Sequence, residues 1–236
     1  MIAQKGLYRE RRAMESFDFD VITFDCYGTL IDWEGGMVRA FQSEAEADGR
    51  SLNAPDIVEA YMAEEPVVES AGYKPYREVL AETALRVASR LGWPLEPERA
   101  GFLARSLPEW QPFPDTNTAL ERLASRFNLG LLSNIDDDLL AVTRRHFSVE
   151  FDLIVTAQQV KSYKPGFAHF QEALARISGK RLLHAAQSYF HDVVPASGLG
   201  IPVVWVNRKG ETLQEGRPHP TCIVPDLASL AELLLR

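Results

Sequence analysis

Short apolar runs alternate along most of this chain with longer segments whose apolar residues recur at helical spacing. The first run, Val21-Ile22-Thr23-Phe24, is β-branched and aromatic on both faces and reads as a buried parallel strand. Gly28 and Thr29 break it into a turn. Apolar residues at helical spacing then run from Gly35 to Asp48 and stop near Gly49. From Ala54 to Leu107 the chain is almost entirely helix-like, including Tyr76 to Leu91, which Gly92-Trp93-Pro94 closes. The proline-rich stretch Trp110 to Asp115 marks a boundary. Beyond it the β-α rhythm returns. Strands are predicted at Leu129–Leu132, Phe151–Val155, Leu182–Ala186, Ile201–Val206 and Cys222–Val224. Helices are predicted at Asp138–Phe147, Gly166–Ile177 and Leu227–Leu235.

This alternation predicts an α/β fold, a doubly wound, Rossmann-like parallel sheet. The helical block after the first strand reads as an inserted all-helical cap. The expected domains are a core of residues 17–33 and 112–236, a cap of residues 34–111, and a flexible N-terminal arm of residues 1–16.

Composition narrows the function. The 236 residues carry a formal net charge of -8 and no basic stripe, which argues against nucleic acid as a partner. No apolar run approaches the ~20 residues of a membrane span. The basic start, Met1 to Ser16, lacks the apolar centre of a secretory signal. Only Cys26 and Cys222 are present, so a disulfide framework is not expected and a reducing cytoplasm is.

Asp25 ends the first strand, where open α/β sheets bind ligands, although such an Asp can also just cap a turn. Cys26 points to the opposite face, into the packing. Three further segments stand in order on the predicted core elements: Ser133-Asn134 at a strand end, Lys164-Pro165 before a helix, and Gln187 to Asp192 after a strand. With Asp25 to Leu30, these four segments make the chain resemble the haloacid dehalogenase-like hydrolase superfamily over roughly residues 17–236.

The resemblance implies that Asp25 is a nucleophile forming a covalent ester with the substrate, a role suited to a carboxylate ionised at neutral pH. Lys164 would hold Asp25 and offset the charge on its oxygens, with Lys161 as a competitor three residues earlier. Ser133 and Asn134 would hydrogen-bond a substrate carboxylate or leaving group. Phosphatases of the superfamily carry a second Asp at the position of Tyr27. A tyrosine, with a reference pKa of about 10, is a poor acid for a departing alkoxide, whereas a halide needs no proton. Tyrosine there resembles the 2-haloacid dehalogenase branch, and it also fits simple packing beneath a cap.

Metal-dependent relatives carry acidic residues at the positions of Gln187 and Asp192, and only Asp192 remains here. The expectation is therefore a metal-free hydrolase without cofactor, in which Asp192, supported by Ser188, positions the water that opens the ester. Asp192 can equally cap a helix starting near Val193. Asp136-Asp137-Asp138 reads as a helix start rather than a metal cluster. No histidine pair shows ligand spacing, and His191 is the one histidine worth testing. Trp33, Tyr61, Tyr73 and Trp110 either line an apolar pocket above Asp25 or pack cap helices together.

The match breaks in the cap. The 2-haloacid dehalogenases cradle the halide with an arginine there, but Ala54 to Tyr61 contains no basic residue, and Arg39, Arg50 and Arg77 are the nearest candidates. Tyr189 stands where that branch shows asparagine. The leading expectation is a hydrolase that cleaves the carbon–halogen bond of a small, anionic 2-haloalkanoic acid. Its competitors are a phosphatase using Mg2+ and a non-catalytic binding protein that retains the fold. A homodimer is left open, since many relatives are dimers.

Overall fold

The computed structural model of the chain describes residues 18–235, so the arm expected over residues 1–16 lies outside the described residues. Six strands form one sheet: β1 (Val21–Phe24), β2 (Asn128–Ser133), β3 (Leu153–Thr156), β4 (Leu182–Ala186), β5 (Val203–Val206) and β6 (Cys222–Val224). All pairings are parallel, in the order β3-β2-β1-β4-β5-β6. Winding proceeds one way from β1 through β2 and the other way through β4. The carboxyl end of β1 therefore lies at the switch point, where crossovers diverge and leave a crevice.

Successive strand residues point to opposite faces, and two apolar clusters result. Ile22, Phe24, Leu129, Leu131, Leu183 and Ala185 belong to one, and Val21, Leu132, Val155, Leu182, Val203 and Trp205 to the other. The first contains the buried stripes of α5 (Thr116–Ala124) and α10 (Leu227–Leu234). The second is closed by Phe170, Ala173 and Ile177 of α8 (Ala168–Ile177). Both faces of the sheet are thus covered, as its near-continuous apolar strands demand. Shorter helices complete the core: α6 (Asp137–Thr143), α7 (Ala157–Val160) and α9 (Val194–Gly198).

Between β1 and β2 the chain forms only helices and turns apart from isolated bridges of Tyr27 and Pro112 with Ile31: α1 (Trp33–Glu46), α2 (Ala54–Ser70), α3 (Tyr76–Arg90) and α4 (Phe102–Ser106), with single 3-10 turns at Pro97–Arg99 and Leu107–Glu109. This block is the helical cap. The continuous helical stretch expected from Ala54 to Leu107 is broken where Gly72, Pro75, Gly92, Pro94 and Pro97 interrupt it. Helix α1 starts two residues before the expected Gly35, because the Asp32 carboxylate accepts the Gly35 N–H at 3.1 Å and caps it. Gly36 is glycine for a packing reason: a Cβ there would lie 2.4 Å from Cγ of the Trp110 ring.

The aspartate run caps a helix, but not its own. Asp136 occupies the N-cap position of α6 yet makes no side-chain bond to it. Its two oxygens instead accept the N–H groups of Tyr76 and Arg77, at 2.8 and 3.0 Å, in the first turn of α3. Arg77 returns the contact to Asp136 and Asp138 at 3.3 and 2.5 Å. The run therefore ties cap to core.

Candidate active site

The loop after β1 carries Asp25, whose N–H extends the ladder to the Ala185 carbonyl at 3.2 Å. Its two carboxylate oxygens have different partners. Oδ1 accepts from Lys164 Nζ at 2.9 Å, and Oδ2 accepts from the Thr29 hydroxyl at 2.9 Å. Thr29 in turn accepts the Gln187 N–H at 2.8 Å, which ties the β1 loop to the β4 loop. Lys164 Nζ spends its other donors on Asp192 Oδ1 at 2.6 Å and the Leu132 carbonyl at 2.8 Å. One ammonium thus joins the ends of β1, β2 and β4, and it is 1% exposed.

Burial alone would favour a neutral Lys164 amine, but the Asp192 and Asp25 carboxylates overcome it and hold the ammonium above its usual range. Burial likewise acts to raise Asp192, yet the Lys164 charge and the His184 hydrogen bond prevail and hold it down to about 2. Asp25 goes the other way: burial pushes it up, with Lys164 opposing and Asp192 adding to the rise.

Asn134 locks the loop that carries Lys164. Its Oδ1 accepts the Lys164 N–H at 2.7 Å, and its Nδ2 donates to the Lys164 carbonyl at 3.0 Å. Its amide is therefore largely committed to positioning. Ser133 differs, because its hydroxyl is buried without a partner. Asp192 does not cap a helix at Val193. It lies within a π-helical turn, Tyr189–Val193, whose N-cap is Ser188, and points back to Lys164. A π-bulge of this kind redirects a side chain. Ser188 makes no bond to Asp25, Lys164 or Asp192; its hydroxyl accepts the His191 N–H at 3.2 Å and meets His191 Nδ1 at 3.1 Å.

His184 supports Asp192 from inside the sheet, with Nε2 3.0 Å from Asp192 Oδ1 and Nδ1 2.9 Å from the Thr23 hydroxyl. Nε2–H donating to the carboxylate while Nδ1 accepts from Thr23 satisfies all three groups. His169 packs nearby with Nε2 3.2 Å from the Ser133 carbonyl, and burial and Lys164 lower it to about 3, so its imidazole is neutral. Thr29 and His184 join this candidate site through Asp25 and Asp192, and sequence reasoning missed both. From sequence, Thr29 reads only as a residue that turns the chain after β1. The lone histidine in Leu-Leu-His-Ala-Ala was a readable signal, since a polar residue on an otherwise apolar buried strand needs a partner.

A cavity of about 500 Å3 lies beside this cluster, with Tyr27, Asn134, Gln187 and Ser188 in its wall. Asp25 itself is 7% exposed behind them. The Tyr27 hydroxyl donates to Thr143 Oγ1 at 2.8 Å, which passes its own proton to the Leu139 carbonyl at 3.2 Å. Burial pushes the Tyr27 phenol well above its usual range. Of the aromatics, Trp33, Tyr61 and Trp110 line the cavity, whereas Tyr73 packs on Tyr163 at 5.6 Å. Lys161 lies over the Tyr73 ring at 5.2 Å, and Lys164 is the lysine that reaches Asp25.

No expected arginine reaches the cavity among the described residues. Arg77 is bound to Asp136 and Asp138, Arg50 donates to the Gly92 carbonyl at 2.8 Å, and Arg39 is exposed on α1. The charged groups that α2 brings to the wall are instead Glu65 and Glu69, a second feature the sequence reading missed. The same residues fit a divalent cation poorly. An ammonium already joins Asp25 and Asp192, Gln187 stands where a further carboxylate would help, and Asp192 Oδ2 is the one carboxylate oxygen of the pair without a partner.

The chain matches the haloacid dehalogenase-like hydrolase family over residues 19–186 and belongs to it. It is 28% identical over 223 residues to an (S)-2-haloacid dehalogenase of Pseudomonas putida, covering 91% of this chain and 97% of that protein. A glyceraldehyde 3-phosphate phosphatase of Methanothermobacter thermautotrophicus is 29% identical, but over only 52% of this chain and 59% of that protein. The fold is shared with the L-2-haloacid dehalogenase of Xanthobacter autotrophicus, solved with chloropropionic acid covalently bound. That likeness has a TM-score of 0.79 at 18% identity, over 92% of this chain and 99% of that one.

Proposed function

We propose that the chain hydrolyses the carbon–halogen bond of a 2-haloalkanoic acid through an ester on Asp25. The observation that carries this reading is Tyr27. Its phenol is buried, committed to Thr143 and raised well above its usual range, so it supplies no proton to a departing alkoxide. A halide leaves with its electron pair and needs none.

In this reading an Asp25 oxygen attacks the carbon bearing the halogen from the side opposite the leaving group. A C–O bond forms as the C–halogen bond breaks. Lys164 and Thr29 hold the carboxylate at the angle of attack and, through Lys164, limit rotation. The buried, unpartnered Ser133 hydroxyl is the group available for the substrate carboxylate. Water then adds to the Asp25 carbonyl carbon with Asp192 accepting its proton, and the ester opens to a 2-hydroxy acid. The net change is one halide and one proton released per water consumed. The full-length similarity to the Pseudomonas putida (S)-2-haloacid dehalogenase supports this choice.

The test is halide release from short 2-haloacids, run beside phosphate release from a generic phosphate ester, each with and without magnesium. Halide should appear without added metal, and Asp25→Asn should lower its rate by at least about 10³-fold. In heavy-oxygen water, a single turnover should place the label in Asp25. Magnesium-dependent phosphate release with no halide would establish the phosphatase instead.

A further inference from the structure

The cavity exceeds what a three- or four-carbon haloacid fills. At about 500 Å3 it falls in the range that encloses a drug-sized ligand. Six or seven heavy atoms, at roughly 30 Å3 each, occupy less than half of it. The space in front of Tyr27, Asn134 and Gln187 therefore has room for a longer molecule. Trp33, Tyr61 and Trp110 give it apolar walls, and α2 gives it Glu65 and Glu69 one turn apart.

These two carboxylates are not equivalent. Glu65 Oε1 accepts from the Tyr61 and Tyr76 hydroxyls at 2.8 and 2.5 Å, and burial raises both phenols so that they remain donors. Glu69 has no such partner. Its side chain is 12% exposed, and the one ion-pair partner within reach among the described residues is His191 Nε2, at 4.0 Å. Burial and the neighbouring Glu65 push the Glu69 carboxyl up to about 8, with Lys164 pulling the other way. The cations of the cavity wall are Lys209, which is paired with Glu34, and Arg217, which is exposed. An acid held in an aromatic cavity with only an imidazole nitrogen nearby, at 4.0 Å and beyond hydrogen-bonding distance, is costly to the fold, and it is relieved when a ligand brings a closer donor. On the core side, the Ser133 hydroxyl is without a hydrogen-bond partner, in a residue 1% exposed.

We propose that Glu69 selects the substrate: the cavity takes a 2-haloalkanoic acid whose chain runs under α2 and ends in a hydrogen-bond donor, above all an ammonium group, accepted by the Glu69 carboxylate. This rests on the carbon–halogen reading above. The substrate class is thus an ω-amino-2-haloalkanoate. The 2-carboxylate stays at the core end beside Ser133, and a second carboxylate at the far end is rejected by Glu69 and Glu65 together.

Three substrates of one length test this: 2-chlorohexanoate, 2-chloro-6-aminohexanoate and 2-chloroadipate, ending in a methyl, an ammonium and a carboxylate. Halide release is measured at pH 8.5, where Glu69 is ionised, with the non-enzymatic background subtracted. The ammonium-ended substrate should exceed the methyl-ended one by ~10- to 100-fold in kcat/KM, the span of one charge-assisted hydrogen bond. The adipate should be the poorest. Glu69→Gln should bring the first two within about threefold, chiefly through KM, as expected for lost binding. Equal rates in the wild type, a preference for the adipate, or an unchanged ratio in Glu69→Gln overturns the proposal. Fluorescence of Trp33, Trp110 and Trp205, all in the cavity wall, reads binding of 6-aminohexanoate, hexanoate and adipate without turnover. If no halide is released but 6-aminohexanoate binds in preference to adipate and Glu69→Gln abolishes the preference, the pocket assignment stands and the carbon–halogen reading falls. No preference among the three ends the proposal.

Discussion

Replacing Lys164 by methionine should unfold the protein far more easily at neutral pH than in mild acid. Methionine keeps the length of the side chain and removes the charge. The ammonium is 1% exposed and makes three bonds, to Asp25, Asp192 and the Leu132 carbonyl, at 2.9, 2.6 and 2.8 Å. Without it two buried carboxylates face each other with no cation between them, keeping only the Thr29 and His184 hydrogen bonds, and breaking a buried pair in this way costs about 3–5 kcal/mol. At ~2–4 °C per kcal/mol for a chain of this size, the midpoint of thermal unfolding should fall by about 10 °C. The pH dependence separates this cause from lost packing. In the wild type Asp192 is held at about 2, below its ordinary 3.8, so its stabilisation is present above 3.8 and lost as pH falls through about 2. In Lys164→Met the folded carboxyl rises above its unfolded value. The folded state then binds the extra proton, and the deficit shrinks as pH drops from 7 towards 5. Urea unfolding followed by circular dichroism at both pH values measures it. A variant within about 1 kcal/mol of wild type at pH 7, or one whose deficit is the same at pH 5, refutes the reasoning.

Two stability predictions concern the cap. Glu69 ionises near 4.5 when unfolded and at about 8 when folded, so the folded state holds the extra proton between these values and stability falls as pH rises through that window. Glu69→Gln removes this penalty and should stabilise the protein by about 2–3 kcal/mol near pH 7, with the gain vanishing below pH ~4.5, as read by urea unfolding across pH. A flat difference between the two proteins would contradict burial and Glu65 as the cause of the raised Glu69 carboxyl. Gly36→Ala should destabilise by about 1–3 kcal/mol, because its Cβ meets the Trp110 ring at 2.4 Å and both sit in rigid packing. The near-ultraviolet circular dichroism of the tryptophans should change with it.

Much of the fold was legible because it is written in local pattern. The apolar runs of β4 and β6 gave their bounds to the residue, Leu182–Ala186 and Cys222–Val224, since β4 is buried throughout and β6 is an edge strand with Cys222 and Val224 turned inward and Ile223 exposed. Boundaries went astray where a distant group decided them. Helix α1 begins at Trp33 because Asp32 caps it, and its unfavourable Gly35-Gly36 pair is tolerated because Trp110, over seventy residues away, lies against it. The Asp136 carboxylate is a helix cap, as its residue type suggests, but which helix it caps depends on where α3 docks.

The sequence by itself determined the α/β architecture, the family, and the four segments that supply Asp25, Ser133, Lys164 and Asp192. Residue identity and order suffice for these, because parallel strands place the loops that follow them at one end of the sheet. Only the tertiary structure decided what those groups do to one another. A single Lys164 ammonium serves two carboxylates, His184 braces Asp192 from β4, and Asn134 is spent on holding the Lys164 backbone. The missing arginine was visible as a gap in the sequence. The Glu69 carboxyl in the cavity wall was not, because its burial and its closeness to Glu65 exist only once α2 and the core loops enclose that cavity.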